Sequence, residues 1–303
     1  MTGNTTYYML AFFGALAFQL CWKSRGTMLT ATQAYPKKAP VRILAPKSVW
    51  LPNAIFGIHS RMSSPVILRH LSEFKSILKD YNHSDHAKDV LKRTKLLLLV
   101  GIAGGGRNTV IRELQKTGDY YFIVSDTTRP PKVRDGKLEE HGLQYFFRSE
   151  EEVLHDLREG EFLEASLIHN QQVSGISIRE LKHAHETGKI AVTDVEYIGA
   201  DNIARLKPDG VYIFVVPPSF DEWRRRLMHR EKMSDEELQN RIDSARKELS
   251  FALKQPYYTF VVNDSVENAT KTLHSIATGK DYDPACNDEA RQIAEHLLEE
   301  LNR

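Results

Sequence analysis

The chain has 303 residues, a hydrophobic content of 41%, a charged content of 27% and a formal net charge of +1. These values describe an ordinary globular protein of one or two domains, and the near-zero charge gives no support for nucleic-acid binding. Cys21 and Cys286 lie too far apart for a metal-ligand spacing or a disulfide framework, so a reducing compartment, the cytoplasm, is the expected location.

Residues 1–61 form a basic segment that contains no Asp or Glu, whereas the rest of the chain holds 34 basic against 40 acidic residues. Within it, Tyr7 to Trp22 is apolar but short for a membrane span and lacks the basic flank of a signal peptide. Three interpretations stay open for this segment: a processed leader, a membrane anchor, or a start that is assigned too early, with translation beginning at Met62.

Residues 62–94 carry a helical pattern. Apolar side chains recur at steps of three and four residues through Leu68, Leu71, Phe74 and Leu78, and Asp85 to Lys95 has the composition of a second short helix. We therefore expect a helical lead-in before the main domain.

From residue 95 the organisation changes to that of an α/β domain, which we place at residues 95–280. Continuous apolar runs predict strands covered on both faces, and helical stretches separate most of them, which favours a parallel sheet of five strands flanked by helices. The candidate strands are Leu96–Val100, Phe122–Ser125, Ile190–Val195, Val211–Val216 and Thr259–Val262. An acidic helix, Asn287–Leu301, closes the chain within residues 281–303.

A glycine-rich turn follows the first of these strands and opens a helix, with the spacing of a P-loop. Glycines let backbone N–H groups curl around phosphate oxygens, and the helix N-terminus adds a favourable dipole. Arg107 stands where the motif has Lys and Asn108 where it has Ser or Thr, although Thr109 offers a hydroxyl one residue on. A turn without a ligand is the alternative to an ATP-binding loop formed by Gly101, Gly104, Gly105, Gly106, Arg107, Asn108 and Thr109.

A second group of motifs follows in a fixed order. Thr-Thr-Arg-Pro-Pro occupies residues 127–131, Gly-x-x-Tyr-x-Phe residues 142–147, and Glu-Phe-Leu-Glu residues 161–164. Further along come Asp194, a run of arginines around Arg226, and Asn263. From Lys95 to Gly279 this ordered set resembles the guanylate kinase family, whose members have the three-layer P-loop fold with a small acceptor-binding insertion and a helical lid.

The resemblance implies roles for individual residues in moving the terminal phosphate of ATP, held with Mg²⁺, onto GMP. Guanine would be recognised by Ser125 and Glu164, with Ser177 as a substitute contact. The GMP phosphate would be held by Arg129, Lys132 and Tyr145. Asp194 would lie near the Mg²⁺, with Thr109 as a second ligand, and Asn263 would belong to the ATP site. The lid arginines would neutralise the transferring group: Arg226, Arg230 and Arg241.

Each role has a plainer alternative. Glu164, Arg129 and the pair Arg226 and Arg230 could be solvated surface charges, and Asp194 could act as a cap. The sequence also departs from the family, because Ser174 and Ile176 replace a phosphate-binding tyrosine and a guanine-binding hydroxyl. An inactive guanylate-kinase-like binding module and a kinase for another nucleoside monophosphate therefore stay open. We expect the insertion at about residues 126–182 and the lid at about residues 220–246.

Overall fold

The computed structural model describes residues 68–134, 136–230 and 233–303. The predictions for residues 1–61, including the apolar stretch Tyr7 to Trp22 and a start at Met62, lie outside the described residues. None of the helices described here is long and apolar enough to cross a membrane.

The described chain contains ten helices and eleven strands. The strands are β1 (Leu96–Val100), β2 (Tyr120–Phe122), β3 (Asp126–Thr127), β4 (Val133–Arg134), β5 (Lys137–Leu138), β6 (Phe146–Phe147), β7 (Phe162–Ile168), β8 (Gln172–Ser177), β9 (Ile190–Asp194), β10 (Val211–Val216) and β11 (Tyr258–Val262). The helices are α1 (Leu71–Lys79), α2 (Asp85–Arg93), α3 (Arg107–Lys116), α4 (Glu150–Arg158), α5 (Ile178–Glu186), α6 (Tyr197–Leu206), α7 (Phe220–Arg230), α8 (Asp235–Ala252), α9 (Val266–Thr278) and α10 (Ala285–Leu301).

The predicted five-stranded parallel sheet is confirmed, with the order β11-β10-β1-β9-β2. All five residues of β1 are buried, as a strand covered on both faces requires. Leu97 and Leu99 pack into the cluster that contains α3 and α9, while Leu96 and Leu98 pack into the cluster on the opposite face. Helices therefore cover both faces, which gives the three layers expected of this α/β class.

The second strand was predicted a few residues too late. The run Phe122 to Ser125 was expected, whereas β2 ends at Phe122. Ile123 still donates its N–H to the carbonyl of Val192 at 2.9 Å, but the chain then leaves the central sheet for the insertion. An apolar run predicts burial but does not show where strand pairing ends, because the chain stays apolar on both sides of that point.

An insertion between β2 and α5 forms a second, smaller sheet with the order β6-β3-β8-β7, together with the hairpin of β4 and β5 and the helix α4. Its central charge is Asp126, whose buried carboxylate accepts from Arg148 and Arg179, each at 2.8 Å. One carboxylate thus joins β3, the residue that follows β6, and the first turn of α5.

Both predicted lead-in helices are present, and they rest on different parts of the protein. Phe74 of α1 is fully buried in a cluster with α4 and β7 of the insertion. Ala87, Val90 and Leu91 of α2 belong instead to the main core. Ser84 begins α2 by accepting from the N–H of Ala87 at 2.9 Å, the hydrogen bond typical of a serine N-cap.

Candidate active site

The phosphate loop and Asp194 lie side by side because β1 and β9 are parallel neighbours. Leu99 pairs in register with Asp194, so the loop that follows β1 begins next to the carboxylate that ends β9. The carboxyl end of a parallel sheet is where open α/β folds bind ligands. Two predicted ATP-site elements are therefore brought together by the topology alone.

Two of the loop glycines are required by the space around them. Gly101 has φ of +152°, and an added Cβ would lie 2.3 Å from the carbonyl oxygen of Val215. Gly106 has φ of +91°, and its Cβ would lie 2.2 Å from Nδ2 of Asn263. Side chains are excluded from both positions, which leaves backbone N–H groups to line the loop.

The helix α3 begins directly after this loop, at Arg107. Its N-cap is Gly106, which has no side chain to occupy the first turn, so the helix dipole and the N–H groups of Arg107 and Asn108 are available to an anion, while Thr109 donates to Gly106. Asn108 and Thr109 are exposed in that turn. Arg107 is half-buried, with its Nε atom 4.0 Å from Oδ2 of Asp194.

Asn263 supports the loop from behind. Its Nδ2 donates to the carbonyl of Gly105 at 2.8 Å, and its own N–H donates to Val216 at 2.8 Å. The side chain is buried. The structure therefore brings this predicted ATP-site residue to the loop, and what it contacts there is the protein backbone.

The lid helix α7 is fastened to the same loop. Trp223 is buried, and its Nε1 donates to the carbonyl of Ala103 at 2.7 Å. Arg226 donates to Glu222 at 2.7 Å and to the backbone oxygen of Asn263 at 2.9 Å. The start of the lid, the phosphate loop and the end of β11 are thus joined by hydrogen bonds.

The other lid arginines are less constrained. Arg241 of α8 is exposed and lies 3.6 Å from Glu237, one turn away on the same helix. Arg230 is the last residue of α7. Arg226 therefore contacts the loop region, whereas Arg241 pairs within its own helix.

Sequence reasoning missed Glu248, a half-buried residue of α8. Burial raises its pKa to about 7. The charge of Arg107 opposes this increase, that of Glu196 adds to it, and that of Arg241 opposes it. These influences place the carboxyl within electrostatic range of the phosphate-loop arginine. The sequence carried no signal for it, since Glu248 is one of several acidic residues in a charged helix.

A cavity of about 760 Å³ opens between the second sheet and α6. Four of the predicted residues line it: Ser125, Tyr145, Glu164 and Asp194. They come from separate parts of the sequence, and the fold gathers them at one surface. Because Asp194 also neighbours the phosphate loop, the cavity and the loop adjoin.

Among the acidic residues that line the cavity, Glu164 has a raised pKa. Burial raises its pKa from 4.5 to about 7, the nearby Glu196 adds to the rise, and a hydrogen bond from Ser166 opposes it. Removing a carboxyl from water disfavours its charged form unless donors compensate. A ligand that offers N–H donors to Glu164 would supply that compensation.

Arg129 is held in a buried ion pair. Its terminal nitrogens donate to the two oxygens of Glu139 at 2.6 and 3.0 Å, and its guanidinium lies 4.7 Å from the ring centroid of Tyr145. Only 7% of Arg129 is exposed. The sequence displays a Glu139–Glu140 pair but does not show which of the two faces the arginine.

The remaining acceptor-site predictions have mixed positions. Lys132 is exposed, and its backbone N–H donates to Glu139 at 2.9 Å. Ser177 is buried outside the cavity lining and caps α5 by accepting from the N–H of Arg179. Ser174 does line the cavity, with its hydroxyl 2.7 Å from that of Thr127, whereas Ile176 is buried in the main core.

The donor groups near the loop suit a metal ion that is held mainly by phosphates. Among residues 68–134, 136–230 and 233–303, no cluster of three or more His, Cys, Asp or Glu side chains could hold a metal alone. Mg²⁺ usually keeps several waters and takes one or two carboxylates together with substrate phosphates. Asp194 and the hydroxyl of Thr109 match that smaller requirement.

Comparisons with known proteins identify the family of this chain. A family model described as guanylate kinase matches residues 93–279. A guanylate kinase from Clostridium tetani is 30% identical over 190 residues, covering 63% of this chain and 88% of the relative. One from Sulfurimonas denitrificans is 34% identical over 188 residues, covering 61% and 88%.

Among solved structures, that of guanylate kinase from Anaplasma phagocytophilum is 24% identical, covers 61% of this chain and 86% of its own, and has a TM-score of 0.45. The family assignment comes from the sequence match, which spans the whole α/β domain with its insertion and its lid. The chain belongs to the guanylate kinase family.

Proposed function

We propose that this chain transfers the terminal phosphate of ATP to GMP, giving ADP and GDP. The observation that carries the proposal is the shared surface of Glu164, Ser125 and Asp194, which joins a base-reading carboxylate to the phosphate loop. A carboxylate accepts hydrogen bonds only, so an ionised Glu164 suits the adjacent N1–H and amino group of guanine. Adenine presents an acceptor at N1, which Glu164 would repel.

In this proposal the ATP phosphates lie on the glycine loop. The loop ends at the N-terminus of α3, whose N–H groups and dipole would favour the phosphates. Arg107 takes the place of the P-loop lysine and supplies a positive charge with a planar set of donors. Mg²⁺, held with ATP near Asp194 and Thr109, would neutralise phosphate charge.

Phosphoryl transfer depends on positioning and on charge neutralisation, so the protein needs cations on the acceptor side as well. Arg129 and Tyr145 would hold the GMP phosphate, with Lys132 reaching it from the surface. The two terminal nitrogens of Arg129 already bind Glu139, which fixes the guanidinium in one orientation. The lid would bring Arg226, Arg230 and Arg241 over the transferring group on closure.

An ADP-release assay with ATP, Mg²⁺ and a panel of GMP, AMP, CMP and UMP tests the proposal. GMP should be the preferred acceptor, and Glu164→Ala should lose selectivity for GMP over AMP. Equal turnover of all four acceptors would contradict the role of Glu164. Binding of GMP without any turnover would favour the guanylate-kinase-like binding module instead.

Two finer points are predictions from the sequence alone. The resemblance implies ATP and GMP as partners, and the near-zero net charge gives no support for nucleic-acid binding. The paucity of cysteines predicts a cytoplasmic location.

A further inference from the structure

Glu164 lies on β7, which is the strand at the edge of the second sheet, beside β8. An edge strand has one row of backbone groups that no sheet neighbour pairs. The pairing of β7 with β8 also shifts register between Phe162 and Glu164. The segment that positions Glu164 therefore needs support from outside the sheet.

The turn between α1 and α2 supplies that support. The hydroxyl of Tyr81 accepts from the N–H of Phe162 at 2.7 Å and donates to its carbonyl at 2.8 Å. Nε2 of His83 lies 2.9 Å from the carbonyl of Leu163, which lies within the register shift. The N–H of Ser84 donates to Gly160 at 3.1 Å, so the turn binds the backbone of three of the four residues before Glu164.

The protonation of the two side chains is defined by these partners. A carbonyl oxygen only accepts, so His83 must carry a proton on Nε2. The Tyr81 hydroxyl must keep its proton to donate to Phe162, and burial, the largest influence on its pKa, raises that pKa to about 12. The rings of Tyr81 and His83 meet edge to face with centroids 5.1 Å apart, which restricts both.

The turn is itself anchored at both ends. On one side, Phe74 of α1 is buried against α4 and β7. On the other side, Ser84 caps α2 and donates to Glu161 at 2.7 Å. The contact is close as well, since a Cβ at Gly160 would lie 2.5 Å from the nitrogen of Ser84. The backbone that carries Tyr81 and His83 is therefore fixed at both ends of the turn.

Both residues also line the cavity that contains Glu164, and both precede residue 93, where the match to the family model begins. We propose that Tyr81 and His83 are positioning residues of the acceptor site, which fix the backbone at residues 162–163 so that the Glu164 carboxylate meets guanine. This inference rests on the proposed function, because it assigns guanine as the ligand of Glu164. A small misplacement of such a group can cost up to about 100-fold in rate.

Variants of the full chain separate positioning from general stability. Tyr81→Phe removes both bonds to Phe162, and His83→Ala removes the bond to Leu163, while His83→Gln keeps an N–H donor. The matched control is Tyr120→Phe, which removes a bond of 3.0 Å from a buried tyrosine to His274 in the cluster on the opposite face of the central sheet. KM for GMP, KM for ATP, kcat and melting temperature are measured for each, and GMP affinity is measured by calorimetry.

We expect Tyr81→Phe and His83→Ala to raise KM and the dissociation constant for GMP by about fivefold to tenfold, within the range that misplacement allows. KM for ATP should stay within about twofold, and His83→Gln should restore most of the GMP affinity. The inference is overturned if GMP affinity changes no more than in Tyr120→Phe, or if both substrates weaken together as the melting temperature falls. A wild type that binds GMP without turnover would contradict the proposed function alone, and one that does not bind GMP would contradict both.

Discussion

The raised pKa of Glu164 leads to a quantitative prediction about pH. Guanine donates two N–H groups, so GMP should bind the form of the enzyme in which Glu164 is ionised. With the pKa raised to about 7 by burial, the ionised fraction is about one-tenth at pH 6 and about nine-tenths at pH 8. The kcat/KM for GMP, which reports the free enzyme, should therefore rise about tenfold between these values.

The phosphate of the substrate titrates in the same range and has to be separated. A phosphate monoester has its second pKa near 6, which contributes about a further factor of two between pH 6 and pH 8. AMP carries the same phosphate, so the ratio of kcat/KM for GMP to that for AMP cancels this contribution. The ADP-release assay at half-unit steps of pH gives both values, and Glu164→Gln, which cannot titrate, is the control.

The ratio should rise with pH in the wild type and stay flat in Glu164→Gln. A wild-type ratio that is constant from pH 6 to pH 8 would refute the reasoning, because the carboxyl would then not be the titrating guanine contact.

The contribution of Glu164 to the free energy of unfolding should fall as pH rises. The native state holds the proton more tightly than the unfolded chain, so this contribution is full below pH 4.5 and is lost as pH rises to about 7. Glu164→Gln should flatten that decline.

Three further predictions follow from the loop, the acceptor clamp and the N-terminal segment. Arg107→Ala should abolish turnover at an unchanged melting temperature, and Arg107→Lys should keep measurable activity; wild-type ATP turnover in Arg107→Ala would mean that the loop is not the phosphate site. Arg129→Ala should lower kcat/KM by orders of magnitude and also lower the melting temperature, since it removes the buried ion pair with Glu139. An activity loss under about threefold would remove Arg129 from the site. A chain that starts at Met62 should melt at the same temperature as the full chain, and a large drop would show that residues 1–61 pack on the domain.

Most of the fold could be predicted from periodicity and apolar runs. β1 and β10 have the predicted bounds, and the central parallel sheet has the five predicted strands. Because these strands are buried on both faces, each of them has a continuous run of apolar residues in the sequence. The short strands of the insertion left no such signal, because β3 to β6 have two residues each and are held by side-chain contacts such as those of Asp126.

The sequence placed only part of the predicted site at the cavity, and the roles of its residues stay predictions. Ser125, Tyr145, Glu164 and Asp194 line the cavity, whereas Asn263 and Ser177 use their polar atoms on the backbone. A sequence motif gives only the residue type at each position. It does not distinguish an asparagine that supports a loop from one that binds a ligand. Two neighbours of the predicted arginines were not shown by the sequence: Glu139 lies ten residues from Arg129, and Glu248 belongs to α8, far along the chain from Arg107.

The exchange of lysine for arginine in the phosphate loop has a physical basis in these neighbours. Asp194 approaches Arg107 through Nε, and no hydrogen bond within the described residues uses its two terminal nitrogens. Those nitrogens remain for phosphate oxygens, so the guanidinium can satisfy the carboxylate and the nucleotide with different atoms. A lysine at this position would have a single nitrogen to offer to both the carboxylate and the nucleotide. Burial also lowers the pKa of an ammonium, whereas a guanidinium keeps its charge. The variant loop therefore has the charge and the donors that phosphoryl transfer needs.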